Sequence, residues 1–171
     1  MNKIAKFEKV SYEQFEADWL NVFPLTVEWK LKSMYENIKL PKRSTTGSAG
    51  YDFYIPRDID LDKNDSVVIP TGIRCNIDEG WALQAYPRSG HGFKYGIHLA
   101  NTVGIIDADY YGAENEGHIH IKLVNDSVLA KNIHFDDGAA FCQGIFLPFG
   151  ITVDDEVEAK RVGGFGSTDN K

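Results

Sequence analysis

The sequence predicts an all-β domain of the sandwich, jelly-roll or small-barrel kind, preceded by one short helix. Three observations carry this. The segments 65–77, 81–86, 118–124 and 141–149 are short and rich in β-branched and aromatic residues, and Gly, Pro, Asn and Asp punctuate them. After Gly117 the chain alternates, with Ile119, Ile121 and Leu123 on one parity and His118, His120 and Lys122 on the other. That is the period of a strand with one buried face. No repeat, heptad or long helical period occurs outside the N-terminal segment.

In chain order, residues 1–10 alternate Lys with apolar residues and lack the apolar stretch of a signal peptide. Ser11 and Gln14 make a capping box, and Phe15 and Trp19 fall four apart on one helical face, so a short helix follows. Pro24 ends it. Residues 26–34 alternate Val27, Trp29 and Leu31 against polar neighbours and read as a half-buried strand. Residues 42–50 form a polar, Gly-containing loop. Residues 96–112 read as strand, turn and strand, which predicts a hairpin. Residues 160–171 hold three glycines and one aromatic, too little apolar surface to order a segment, so a mobile arm is expected.

At 171 residues and 43% apolar, the chain suffices for the core of one domain. Accordingly residues 1–171 are read as a single domain with an N-terminal extension, 1–35, and a C-terminal arm, 160–171. A net charge of −7 repels polyanionic nucleic acid, yet a small anionic nucleotide needs only a few local cations and N–H donors. Cys75 and Cys142 lie far apart without a C-x-x-C pattern, as expected of unpaired core thiols in a reducing cytoplasm. No 18-residue apolar run suggests a membrane span.

Several segments offer chemistry. Pro87-Arg88-Ser89-Gly90 combines a fixed φ, a guanidinium fork, a hydroxyl and a residue without a side chain, the parts of a phosphate cradle as well as of a surface turn. Around Asp107-Ala108-Asp109, backbone groups of the predicted hairpin can read a planar base while a carboxylate polarises a water. Gln143 is the one polar residue of an otherwise apolar run, either satisfying a core hydrogen bond or presenting its amide to a ligand. His118 and His120 share a strand face, without a third metal ligand at convincing spacing, and a polar face beside Lys122 is the simpler reading. Phe165, flanked by glycines and hydroxyls behind Lys160 and Arg161, has the makeup of a lid over a base and its phosphates.

In order, Ala49-Gly50-Tyr51-Asp52, Pro87-Arg88-Ser89-Gly90, residues 96–112, residues 138–146 and residues 161–168 resemble the five motifs of the trimeric dUTP pyrophosphatases (dUTPases). The resemblance implies a distorted jelly roll or barrel, a homotrimer with active sites at its interfaces, and hydrolysis of dUTP to dUMP and pyrophosphate with Mg2+. It implies that Asp107 activates the attacking water and that Tyr110 packs beneath the deoxyribose. Asn101, with Gly104, Ile105 and Ile106, would read uracil. Arg88, Ser89, Gly90 and Gln143 would contact phosphates, joined by Lys160 or Arg161. Asp52 would act through the metal's water shell, and Phe165, Gly166 and Ser167 would cover the nucleotide.

The chain departs from the family pattern in places: Tyr111 follows Tyr110 where Arg is usual, an insertion spans 113–117, and Ala139-Ala140-Phe141-Cys142 stand before Gln143 in place of the usual basic residue and Ala. A dCTP deaminase of the same broad fold and a regulatory nucleotide-binding module are the competing readings.

Overall fold

A computed structural model describes residues 2–126, 131–157 and 163. The order is β1 (Ala5–Lys9), α1 (Tyr12–Val22), α2 (Glu28–Asn37), β2 (Lys42–Arg43), β3 (Tyr51–Tyr54), β4 (Ile59–Leu61), β5 (Asp65–Pro70), β6 (Ile73–Ile77) and β7 (Trp81–Pro87). A short helix α3 (Ser89–Tyr95) then leads to β8 (His98–Leu99), β9 (Gly104–Ile106), a 3-10 turn (Ala108–Gly112), β10 (His120–Asn125), β11 (Ile133–Phe135) and β12 (Ala140–Pro148).

The strands pair antiparallel in four sheets. One five-stranded sheet runs β2-β3-β12-β7-β9; the others are β5-β10-β8, β1-β6 and β11-β4. The arrangement is jelly-roll-like, and among the described residues it does not close into a barrel. Ile121 and Leu123 of β10 are buried, as their parity predicts, and join Phe53, Leu83, Ile106 and Phe141 in one core. Both cysteines are free and buried, and burial pushes each thiol up to about 12.

The N-terminal segment is less separate than its sequence suggests. Residues 5–9, not among the predicted strands despite the alternation of Lys with apolar residues, pair with β6. At α1 the Ser11 hydroxyl accepts from the Gln14 N–H at 3.1 Å, but the second half of the capping box is missing: Gln14 turns to Asp18, and the Ser11 N–H goes to Glu116. Eleven residues make a marginal helix in isolation, so tertiary burial must hold it. Phe15 and Trp19 supply that burial, each worth about 1.5–3 kcal/mol.

Two predictions require correction. Residues 26–34 are not a strand; α2 covers most of them, and its buried residues are Leu31 and Met34. The decisive spacing is Leu31, Met34 and Ile38, three and four apart, whereas Trp29 of the apparent alternation is 73% exposed. The expected hairpin over 96–112 does not form either. β8 pairs with β10 and β9 with β7, so a turn over Ala100 to Val103 carries the chain between two sheets.

Candidate active site

Register across the five-stranded sheet assembles the first constellation. Asp52 on β3 faces Gln143 on β12, which faces Tyr86 on β7, one residue before Pro87. Arg88 leaves the end of β7 and pairs through Nε with Asp52 Oδ1 at 3.2 Å, while the Ser44 hydroxyl donates to Asp52 Oδ2 at 2.9 Å. Gln143 Nε2 donates to the Pro87 carbonyl at 3.2 Å, fixing the residue ahead of the guanidinium. A Cβ on Gly50 would come within 2.6 Å of Gln143 Oε1, so the first and fourth motifs meet in direct contact. Ser89 and Gly90 are exposed at the start of α3 beside Arg88. Thus the structure brings Asp52, Arg88, Ser89, Gly90 and Gln143 to one end of the sheet, a hydrogen-bonding surface whose guanidinium is balanced by Asp52.

The second constellation surrounds a cavity of about 300 Å3 edged by Asn101, Gly104, Ile105 and Ile106 on one side and His120 and Lys122 on the other. β9 is an edge strand, so one side of its backbone lies outside the sheet ladder. Asp107 follows directly as the exposed residue before the 3-10 turn. Tyr110 is buried, its hydroxyl donating to the His118 carbonyl and accepting from Asn115 Nδ2, each at 2.8 Å.

The two constellations do not meet within one chain. Ile106 faces Leu83, five residues before Arg88, which is about 16 Å along a strand. Lys160, Arg161, Phe165, Gly166 and Ser167 lie outside the described residues.

The histidines depart from expectation. His118 is fully buried rather than part of a polar face, and sequence reasoning missed its partner: Asp18 of α1 places Oδ2 2.5 Å from His118 Nδ1 and 3.3 Å from His120 Nε2. A separation of one hundred residues leaves no local signal for such a contact. Among the described residues, Asp18, His118 and His120 form one group of potential metal donors, and the exposed Asp58, His134 and Asp136 another.

The dUTPase family model matches residues 36–169. The chain belongs to the dUTPase family. Among its relatives, deoxyuridine 5'-triphosphate nucleotidohydrolase of Lactococcus lactis subsp. lactis is 37% identical over 145 residues, covering 82% of this chain and 95% of that protein. The same-named protein of Finegoldia magna is 40% identical over 139 residues, covering 77% and 92%. The crystal structure of the Streptococcus mutans dUTPase superposes with a TM-score of 0.63 at 31% identity, over 85% of this chain and 97% of that one. A mutant dUTPase from phage phi11 of S. aureus, whose structure details the coordination of a structural Mg(II) ion, shares the fold at a TM-score of 0.63 and 18% identity, covering 92% and 98%. The family model begins at residue 36, so β1, α1 and most of α2 precede the residues it matches.

Proposed function

We propose that this chain hydrolyses dUTP to dUMP and pyrophosphate, with the cavity beside β9 as the deoxyuridine subsite and the Asp52–Arg88–Gln143 end of the sheet as the phosphate subsite. The observation that carries this reading is an edge strand lining a cavity with a carboxylate at its end. Backbone N–H and C=O groups of Gly104, Ile105 and Ile106 can read the hydrogen-bonding edge of a planar base, with Asn101 beside them. Tyr110 underlies the sugar, and Asp107 accepts the proton of the water that attacks the α-phosphorus. The bond from that phosphorus to the bridging oxygen breaks, and pyrophosphate leaves. Arg88 balances the charge on the phosphate oxygens, and positioning plus charge neutralisation supply most of the acceleration. Lys160 or Arg161, with Phe165, Gly166 and Ser167, provide the remaining nucleotide contacts.

A divalent cation accords with the family, and we assign it as Mg2+. Asp52 is the hard oxygen donor near the phosphate subsite, yet both its oxygens already accept, from Arg88 and Ser44. These residues therefore fit an ion held by phosphates and water, with Asp52 touching its hydration shell. Bound there, the ion would neutralise charge on the triphosphate.

The separation of Arg88 from Asp107 supports a site completed between subunits of a homotrimer, since one chain cannot place both on one triphosphate. Light scattering should then give about three times the 19.2 kDa chain mass. The deciding assay is pyrophosphate release from dUTP, dCTP, dTTP and UTP, with Mg2+ and after chelation. Selective dUTP turnover that drops about 10²–10⁴-fold in Asp107→Asn is expected. Absence of release by folded wild type overturns the reading, and ammonia release from dCTP would mark a deaminase.

A further inference from the structure

Three sets of polar contacts bind the N-terminal segment to residues 111–120. At the start of α1, the Ser11 N–H and hydroxyl donate to Glu116 at 2.8 and 2.6 Å. From β1, Glu8 accepts from the Tyr111 hydroxyl at 2.5 Å, and the Arg74 guanidinium lies 4.5 Å from the centre of the Tyr111 ring. The third set is the group of Asp18, His118 and His120, which is the most buried of the three.

The chemistry of that group is decided by Gly72. Its N–H donates to His118 Nε2 at 2.7 Å, so Nε2 presents its lone pair and Nδ1 carries the ring proton. That proton points to Asp18 Oδ2 at 2.5 Å, and His120 Nε2 converges on the same oxygen at 3.3 Å. A metal ion here would need the Nδ1 lone pair, which the ring cannot supply while Nε2 accepts. The arrangement is a hydrogen-bonded relay from the backbone of Gly72 through an imidazole to a carboxylate.

One output of the relay reaches the cavity wall, and the other reaches Tyr110. The carbonyl of His118 accepts from the Tyr110 hydroxyl, and His120 is itself part of the cavity wall. We infer that Asp18, on a helix that precedes the residues matched by the family model, is a positioning residue for the nucleoside half of the substrate: through His118 it fixes Tyr110, and through His120 it fixes the wall facing β9. This rests on the reading of that cavity as the deoxyuridine subsite. Because Asp52, Arg88 and Gln143 are held by one another, Ser44 and Pro87 at the end of the five-stranded sheet, while His120 belongs to the β5-β10-β8 sheet, loss of the relay should be felt by the nucleoside and not by the phosphates.

The test is calorimetric titration of dUMP, and separately of pyrophosphate with Mg2+, into full-length wild type, Asp18→Ala and Asp18→Asn, alongside KM and kcat for dUTP and a melting curve. Asp18→Ala removes the acceptor outright. Asp18→Asn keeps one amide oxygen for two ring donors and gives the same reading at smaller amplitude should Asp18→Ala not fold. The expected result is about 10-fold weaker dUMP binding, an unchanged pyrophosphate affinity, and a rise in KM that exceeds the fall in kcat. Unchanged dUMP affinity with only a lower melting temperature, or equal loss of both ligands, overturns the inference by reducing Asp18 to a structural role. Stoichiometric Zn2+ binding by wild type that disappears in Asp18→Ala also overturns it, in favour of a metal centre. Wild type that binds no dUMP removes the functional reading and the inference together.

Discussion

Gly117 closes the insertion after the 3-10 turn with φ at +69°, and an added Cβ would lie 2.6 Å from the Tyr110 carbonyl oxygen and 2.8 Å from the Tyr111 Cα. Both obstacles are backbone, so no side-chain rotation relieves them. Gly117→Ala therefore incurs the left-handed penalty of about 1–2 kcal/mol and an overpacking cost of about 1–3 kcal/mol more. Two further glycines separate these contributions. Gly80 also has positive φ, at +81°, but nothing within 4 Å of the added Cβ; Gly112 has equally open space and no positive φ. Taking about 3 kcal/mol for Gly117→Ala and about 1 kcal/mol, the low end of the left-handed penalty, for Gly80→Ala, the melting temperature should fall by about 6–12 °C in the first, by about 2–4 °C in the second, and hardly at all in Gly112→Ala. Scanning fluorimetry on the three variants reads the series directly. If Gly117→Ala melts with Gly80→Ala, the backbone collision is refuted; if it melts with Gly112→Ala, both costs are. Turnover should fall only in Gly117→Ala, because only there must the Tyr110 backbone move.

Acid should destabilise the fold in two windows. Burial pushes His120 down from 6.5 to about 4, so the unfolded chain takes up a proton that the folded one resists, and stability drops as pH falls from about 6.5 to about 4. Burial alone would raise Asp18, but hydrogen bonds from His118 and Gln14 hold it at about 2, so its contribution, full above 3.8, disappears between there and about 2. Urea midpoints near pH 7 and near pH 5 should differ in wild type and differ less in His120→Gln; equal differences would exclude His120 as the cause. Ser11→Ala removes the cap of α1 and the hydroxyl donor to Glu116, leaving the backbone N–H to Glu116 in place, and should cost about 1 kcal/mol, with a wild-type urea midpoint as the contrary result. Arg88→Ala leaves Asp52 without its cation and should weaken pyrophosphate about 10-fold while leaving dUMP affinity intact, the reverse of the Asp18 pattern; a loss confined to dUMP would contradict the assignment of subsites.

What the sequence made legible was local. The parity of β10 follows from Ile121 and Leu123, the cap of α1 from Ser11, and the strand ending at Pro87 from its β-rich run and the turn residues behind it. α2 was misread because nine residues with Val27, Trp29 and Leu31 at alternate positions satisfy a two-residue period, while the helical contacts of Leu31 extend to Met34 and Ile38 beyond them. Residues 65–77 read as one strand, but Thr71 and Gly72 divide it, since their N–H groups leave the ladder for the Ile119 carbonyl and His118 Nε2. The pairing of β9 with β7 instead of β8 was equally hidden, because register between strands twenty residues apart is set by the sheet they join and not by the turn between them.

The site divides along the same line. Asp52, Arg88 and Gln143 are recognisable one motif at a time, yet what makes them a unit is the register of three strands, a property no motif contains. Asp18 shows the further case, in which the residue carries no motif at all. It sits on the polar side of an amphipathic helix, where a carboxylate is ordinarily solvated, and acquires a role only because α1 packs on β5, the neighbour of β10. From that placement the stretch 111–117 gains a physical role. A longer return from the 3-10 turn carries Glu116 to the Ser11 cap while Tyr111 reaches Glu8, so the same residues that depart from the family pattern supply the partners that hold the N-terminal segment. The N-terminal segment and residues 111–117 therefore act as one unit: removing the Glu116 carboxylate should loosen α1, and loosening α1 should disturb the wall formed by His120.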